Sequence, residues 1–218
     1  TAELTRAVDQ IIRDGGANVI TTTGSFGEFH TLLWEEHKKL IEATVATVKK
    51  RVPVFIGCTN LNPREAMRQA RFAQGAGADG LLLGVPFYYQ ATVDNAVQLY
   101  HDIADASPKL GVMIYHNPTH HRVTIPVGAF KRITQKPNIV GMKDSHRTPL
   151  QFIELMNTVQ GKISVFVNQT QAYPYVMLGA SGCWSFNVWM GPSPVTRLRD
   201  ACASQDWETA KQICLDLD

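Results

Sequence analysis

The stretch at residues 77–85, GADGLLLGV, joins the end of a helix to the start of a buried strand. Gly77 is the kind of residue that terminates a helix, and the apolar run after it has the length and composition of a strand covered on both faces. The same junction recurs at residues 16–18 (GAN) and 179–181 (GAS). This weak internal repeat indicates one strand and helix unit used many times along the chain.

Outward from this stretch, short runs rich in β-branched residues alternate with longer stretches of helical period. Apolar strands separated by amphipathic helices are typical of a parallel sheet covered by helices. The predicted strands are Asn18–Thr23, Val52–Cys58, Gly80–Val85, Gly111–His116, Asn138–Lys143, Ser164–Asn168 and Gly182–Asn187. The predicted helices are Ala2–Arg13, Trp34–Arg51, Pro63–Gln74, Val93–Ala106, Val127–Ile133, Pro149–Val159, Ala172–Leu178, Pro194–Ala203 and Trp207–Leu217.

Seven strands in strict alternation with helices predict an α/β fold of the TIM (β/α)8 barrel type, because an open doubly wound sheet usually stops at five or six strands. The chain opens directly on a helix, so we expect the first strand of the barrel to be missing from it. No linker composition divides the chain. We therefore predict one barrel domain over residues 1–218, with its N-terminal strand and C-terminal end truncated.

The charge balance argues against a polyanionic partner. The formal net charge is +2, from 21 basic and 19 acidic residues, so we expect no binding to nucleic acid. No apolar run approaches the ~18 residues needed to cross a bilayer, and the first residues do not resemble a signal peptide. Four widely spaced cysteines favour reduced thiols, no disulfide or metal role and a cytoplasmic location.

The carboxyl ends of the predicted strands carry the candidate site residues, since active sites of such barrels lie there. Lys143 is the most informative, because it directly follows the apolar residues 139–142 in the stretch 139–145, IVGMKDS. Desolvation lowers the pKa of a lysine and makes its neutral amine available to attack a carbonyl. The other strand ends supply residues 24–28 (GSFGE), 59–60 (TN), 87–89 (FYY), 115–118 (YHNP), 168–169 (NQ), Ser185 and Asn187.

Tyr115 is the last inward-facing residue of its predicted strand, one strand away from Lys143, where a phenol can shuttle protons during imine formation. The backbone amides of the glycine-rich turn at residues 24–28 can hold a carboxylate. Together these features suit a 2-oxo acid. Each feature also has an ordinary structural reading: an ion-paired or snorkelling Lys143, a core Tyr115 bonded to backbone, and a turn that only reverses the chain.

Three motifs resemble those of the dihydrodipicolinate synthase and N-acetylneuraminate lyase superfamily, the class I aldolases that handle pyruvate. They are the glycine-rich turn at residues 24–28, the tyrosine motif YHNP at 115–118 and the lysine motif GMKD at 141–144, in the family's order and spacing. Within the superfamily the chain is most similar to the hydratase-aldolases that cleave arylidene pyruvates in polycyclic aromatic hydrocarbon breakdown. That likeness lies in residues 24–28, 31–36 (TLLWEE), 61–65 (LNPRE), 83–86 (LGVP), 184–185 (WS) and 191–192 (GP).

The resemblance implies a lyase in which Lys143 forms an imine with the 2-oxo carbon, Tyr115 acts as general acid and base, and Ser25 relays protons. The implied substrate is 2'-carboxybenzalpyruvate or o-hydroxybenzylidenepyruvate, and the products are an aromatic aldehyde and pyruvate. No metal and no cofactor beyond the covalent Schiff base are expected, and the family likeness implies a homotetramer. The implied substrate-binding residues are Gly24, Phe26, Gly27, Tyr88, Asn117, His120, Trp184 and Asn187.

Two departures from the synthases bear on the substrate. Phe26 stands where synthases and lyases carry a second hydroxyl residue, and His120 replaces the arginine that binds the second carboxylate in the synthases. Both argue against a dipicolinate-pathway substrate. An aromatic pocket is predicted from Phe26, Phe87, Tyr88, Tyr89, Trp184 and Trp189. The basic residues 120–122 (HHR) and 146–147 (HR) either read an ortho substituent on the ring or form a solvated loop.

Two alternatives to an arylidene pyruvate aldolase stay open. One is a synthase-like or lyase-like aldolase or dehydratase acting on a sugar-derived 2-oxo acid. The other is a barrel that binds a 2-oxo acid without turning it over. Intact Lys143, Tyr115 and Ser25 argue against the binding module, and the few hydroxyl and acidic residues at the strand ends argue against a sugar acid.

Overall fold

The computed structural model describes residues 2–186, 188 and 191–218. The strands are β1 Ile20–Thr22, β2 Val54–Gly57, β3 Gly80–Leu83, β4 Gly111–His116, β5 Ile139–Asp144, β6 Ser164–Asn168 and β7 Gly182–Trp184. The helices are α1 Ala2–Arg13, α2 Trp34–Val48, α3 Pro63–Ala76, α4 Val93–Ala106, α5 Pro118–His121, α6 Phe130–Ile133, α7 Pro149–Val159, α8 Ala172–Met177, α9 Ser193–Ala203 and α10 Trp207–Asp216. None of these helices is long and apolar enough to cross a membrane.

All seven predicted strands are present, and most differences from the sequence prediction lie at element ends. The predicted helix at residues 127–133 divides into a 3-10 turn, Val127–Ala129, followed by α6. Helix α5 was not predicted. It begins with Pro118 at its first position, where the missing N–H is not needed, and ends at His121, before Arg122 in the left-handed conformation. Strand β7 stops at Trp184, earlier than predicted.

The strands form one parallel sheet in the order in which they occur along the chain, β1 to β7. Such an order is that of a barrel, because a doubly wound sheet reverses its strand order at a switch point. The predicted parallel α/β fold is therefore confirmed. The absence of a first barrel strand remains a prediction.

The two ends of the sheet are brought into contact by α9. The guanidinium of Arg199 donates hydrogen bonds to the Gly16 carbonyl and the Asn18 side chain, both in the segment that leads into β1. The sheet therefore curves far enough for the helix that follows β7 to meet the entrance to β1.

Side chains alternate between the two faces of the sheet, as strand geometry requires. On β4, Val112 and Ile114 join the large cluster that packs under the helices, whereas Met113 and Tyr115 point to the other face. That inner face is filled by Phe55, Leu82, Met113 and Tyr115, with Val19, Phe166 and Trp184 packed against them. The candidate site lies next to this apolar cluster, at the carboxyl ends of the strands.

The β4 and β5 pairing places the two chemically informative residues side by side. Tyr115 pairs with Lys143, and the next register pair is His116 with Asp144. Since neighbours in register share a face of the sheet, Tyr115 and Lys143 both point inward, and His116 and Asp144 both point away from them.

Candidate active site

The turn after β1 brings Ser25 to Tyr115. Thr23 adopts a positive φ of 54° and its hydroxyl donates to the Gly57 carbonyl at 3.0 Å, which fixes the chain as it leaves β1. A Cβ on Gly57 would lie 2.1 Å from the Thr23 carbonyl oxygen, so only glycine permits this approach. Ser25 to Gly27 then form a 3-10 turn. The Ser25 and Tyr115 hydroxyls are hydrogen-bonded at 3.0 Å, which permits proton transfer between them.

Lys143 is 7% exposed, and its amine lies 5.3 Å from the centroid of the Tyr115 ring. Desolvation by burial lowers the pKa of Lys143 from 10.5 to about 8, although the nearby Asp144 carboxylate acts in the opposite direction. Roughly a tenth of the amine is therefore neutral at pH 7, compared with less than a thousandth for an ordinary lysine. Burial thus gives Lys143 a larger neutral fraction at pH 7 than an exposed lysine has.

The residue after Lys143 carries a buried ionic network on the opposite face of the sheet. Asp144 accepts hydrogen bonds from His116 Nδ1 at 3.4 Å and His146 Nδ1 at 2.9 Å, and its second oxygen pairs with Arg147 Nε at 2.6 Å. Burial disfavours the charge on Asp144, but these partners outweigh that effect and hold its pKa well below the usual range. Arg147 Nη2 also donates to the Ile125 carbonyl at 2.7 Å, so the network ties β5 to the segment before α6.

His116, Asp144 and His146 have their ligand atoms within 4.8 Å of one another, a spacing that a metal ion could use. The hydrogen bonds argue against such an ion. The Ile125 amide donates to His116 Nε2 at 3.0 Å, so the ring proton sits on Nδ1 and is directed at Asp144. Asp144 is in turn neutralised by the guanidinium of Arg147. The arrangement is therefore that of a buried ionic network in which Asp144 and Arg147 form the central ion pair.

A cavity of about 420 Å³ opens beside the Ser25 and Tyr115 pair. It is lined by Ser25, Phe26, Phe29, His30, Phe87, His120 and His121. The three phenylalanine side chains make the lining mainly apolar. Lys143 is not in the cavity wall itself; the cavity meets the Lys143 and Tyr115 pair through Ser25, which bonds to Tyr115, and through His121, whose ring lies 5.1 Å from the Tyr115 ring.

The structure brings some of the predicted site residues together and leaves others apart. Ser25, Phe26, Phe87 and His120 line the cavity, and Gly24 and Gly27 belong to the turn that positions Ser25. Asn117 lies at the start of α5, where its carbonyl accepts the amides of His120 and His121. Phe29 and His30 also line the cavity, and neither was predicted from the sequence.

The remaining predicted pocket residues lie elsewhere. Trp184 is half-buried against the inner apolar cluster and does not line the cavity. Tyr88 and Tyr89 are exposed and pack edge to face against each other. Asn187 and Trp189 lie outside the described residues.

The predicted basic cluster is divided between two places. His120 and His121 line the cavity, but His146 and Arg147 are bound to Asp144 on the other side of the sheet, because that buried carboxylate requires countercharge. Arg122 is exposed and donates to the Tyr88 carbonyl. The five residues therefore do not form one cluster, and a role for His120 in reading an ortho substituent stays a prediction.

These features define the class of protein: an α/β protein of the TIM-barrel type, with a desolvated lysine paired with a tyrosine at the strand ends. Residues 1–217 match the dihydrodipicolinate synthetase family. The chain belongs to this family, and the resemblance carried by its three motifs is confirmed.

Individual relatives include more than one activity. The trans-o-hydroxybenzylidenepyruvate hydratase-aldolase of Pseudomonas aeruginosa is 32% identical over an alignment of 222 residues that covers 99% of this chain and 65% of that protein. The 4-hydroxy-tetrahydrodipicolinate synthase of Acidiphilium cryptum (strain JF-5) is 30% identical over 97% of this chain and 72% of its own length. A solved structure described as PhdJ bound to substrate intermediate superposes with a TM-score of 0.93 at 32% identity, over 99% of this chain and 68% of that one.

The chain thus spans less than two thirds of the length of the Pseudomonas hydratase-aldolase that it matches.

Proposed function

We propose that this protein is a class I hydratase-aldolase that cleaves an arylidene pyruvate to an aromatic aldehyde and pyruvate through a Schiff base on Lys143. The observation that carries the proposal is the desolvated Lys143 amine packed against Tyr115, whose hydroxyl is bonded to Ser25. The similarity to hydratase-aldolases supports the reaction type.

The first stage is imine formation. The neutral amine of Lys143 attacks the 2-oxo carbon, and loss of water leaves a protonated imine conjugated with the double bond of the substrate. Tyr115 and Ser25 transfer the protons that the carbinolamine gains and loses. The amides of Ser25 and Phe26 stand at the beginning of the 3-10 turn, while those of Gly27 and Glu28 are used within it. The first two amides are the ones that we propose to hold the substrate carboxylate.

The second stage is hydration followed by carbon–carbon cleavage. The iminium draws electrons from the double bond, water adds at the benzylic carbon with loss of a proton, and the resulting enamine is protonated at C3. Tyr115 then takes the hydroxyl proton, the C3–C4 bond breaks, and the aromatic aldehyde leaves as the electron pair passes to the imine nitrogen. Protonation of this second enamine and hydrolysis of the imine release pyruvate and restore Lys143.

The walls of the cavity favour an aromatic substrate over a sugar acid. Phe26, Phe29 and Phe87 surround it, and apolar contacts of this kind match a ring better than a row of hydroxyl groups. Phe26 is 76% exposed and stacks on Phe186 at 4.3 Å between centroids, so the aromatic surface continues to the rim of the cavity.

Borohydride trapping tests the covalent step. Sodium borohydride reduces a protonated imine to a stable amine, so pyruvate plus borohydride should add a reduced pyruvyl group to Lys143, located by peptide mass spectrometry. Lys143→Met should abolish the adduct, and Lys162→Met, which replaces an exposed lysine, should leave it intact. Unmodified protein at saturating pyruvate would favour a binding module without turnover.

The substrate class is tested by pyruvate release, coupled to lactate dehydrogenase. We expect release from o-hydroxybenzylidenepyruvate or 2'-carboxybenzalpyruvate and little from sugar-derived 2-oxo acids such as N-acetylneuraminate. A synthase activity, which the relative from Acidiphilium cryptum makes the second candidate, would instead appear as condensation of pyruvate with aspartate semialdehyde. Release from sugar acids alone would overturn the aromatic substrate.

A further inference from the structure

We propose that His121 is a further catalytic residue of this site, and that its imidazole accepts the proton of the water molecule that adds to the conjugated double bond. The inference rests on the proposed function and deepens it, because hydration is the step that separates a hydratase-aldolase from a simple aldolase. The proposed function gives Tyr115 the protons of imine formation and of carbon–carbon cleavage and leaves the base for hydration unassigned.

The imidazole of His121 packs between the carboxyl ends of β3 and β4. A Cβ on Gly84 would lie 2.3 Å from His121 Cε1 and 2.6 Å from Nε2, so the ring rests directly on a glycine backbone. The amide of Gly84 is fixed by a 2.8 Å hydrogen bond to the buried hydroxyl of Thr59. On the other side, the His121 and Tyr115 rings meet nearly at right angles, at 86°. The ring position is therefore determined by packing.

The same ring is a buried polar group in the wall of the cavity. His121 is 3% exposed, whereas His30 and His120, the other two imidazoles of the wall, are exposed to solvent. Burial lowers the pKa of His121 to about 4, so the ring stays neutral at physiological pH and keeps a nitrogen lone pair. In an aromatic cavity, a neutral imidazole next to the Tyr115 ring is well suited to hold one water molecule.

The proposed step balances in protons and electrons. As the water oxygen bonds to the benzylic carbon, His121 takes one proton from the water. The double-bond electrons move toward the iminium, which becomes a neutral enamine. Burial makes the resulting imidazolium a strong acid, so it returns the proton to C3 and both groups regain their starting charge. No oxidant, reductant or metal ion takes part in this exchange.

The test compares two substrates that differ by one water molecule. Benzylidenepyruvate requires hydration before cleavage, and 4-hydroxy-2-oxo-4-phenylbutanoate is the aldol that hydration produces. We expect His121→Phe to lower kcat/KM for benzylidenepyruvate about tenfold or more, which is less than a general base with a pKa of about 7 contributes, and to change cleavage of the aldol less than about threefold. His101→Phe makes the same replacement on α4, where the ring bonds to the Arg132 carbonyl, and should alter neither reaction.

A second variant guards against a folding defect. His121→Gln keeps a hydrogen-bond acceptor and should retain more benzylidenepyruvate activity than His121→Phe. Equal losses on both substrates, or full benzylidenepyruvate activity in His121→Phe and His121→Gln alike, would overturn the assignment. Failure of the underlying function is distinguished by the unsubstituted protein, which would then form no borohydride adduct with pyruvate.

Discussion

Replacing Lys143 with methionine should make the protein more stable at neutral pH while removing its proposed activity. Methionine keeps most of the side-chain volume and carries no charge. The lysine pKa falls from 10.5 to about 8 on folding. Since each pKa unit corresponds to about 1.4 kcal/mol, keeping this lysine protonated in the folded state costs about 3 kcal/mol. We expect Lys143→Met to recover a large part of that free energy of unfolding at pH 7.

The sign of the pH dependence follows from the two pKa values. Between pH 8 and 10.5 the unfolded chain holds a proton on Lys143 that the folded protein has lost, so the stability of the unsubstituted protein rises with pH across that interval. The advantage of Lys143→Met should therefore be largest at pH 7 and should shrink steadily as the pH approaches 10.5.

Urea titrations monitored by tryptophan fluorescence at pH 7, 8, 9 and 10 measure this difference directly. Lys162→Met is the matched control, because its amine is already exposed, and we expect a change within about 0.5 kcal/mol. If Lys143→Met is no more stable than the unsubstituted protein at pH 7, or if the difference does not depend on pH, then the amine is not desolvated and the nucleophile argument is refuted.

Three further predictions concern the same region. Asp144→Asn should cost about 3 to 5 kcal/mol in a urea titration, because it leaves a buried guanidinium without its counterion, whereas Asp105→Asn breaks an exposed pair and should cost at most about 1 kcal/mol. Gly84→Ala should displace the ring of His121 and reproduce the selective loss of benzylidenepyruvate activity; equal activity on both substrates would contradict the packing argument. The rate of borohydride trapping by pyruvate should rise with pH through about 8, and a midpoint near 10.5 would indicate an ordinary Lys143.

The parallel fold could be predicted from the sequence because each strand carries its own local signal. Residues 77–85 illustrate this: helix α3 ends, Gly77 takes a φ of +92° as a helix-terminating glycine does, and β3 begins at Gly80. Element ends were less predictable. Strand β2 spans Val54–Gly57, shorter than the apolar run around it, because pairing with its neighbours and not composition decides where a strand stops.

The candidate site was only partly accessible from sequence. Lys143 and Tyr115 are informative alone, since a lysine at the end of an apolar strand is unusual. The role proposed for His121 could not be predicted from sequence, because the position of its ring depends on Gly84. This glycine lies 37 positions earlier and comes close to His121 only in the folded chain. In the same way His146 and Arg147 look like loop cations in the sequence, and only the fold shows that Asp144 binds both.

Because Tyr115 and Lys143 are paired in register, the lengths of β4 and β5 are more constrained than the loops that line the cavity. Inserting or deleting one residue within β5 would turn the amine toward the helices and the carboxylate of Asp144 into the barrel, so both the chemistry and the ionic network would be lost together. The cavity walls, in contrast, come from the segments after β1, β3 and β4. New substrates can therefore be accommodated by exchanging loop residues while the amine and phenol stay fixed.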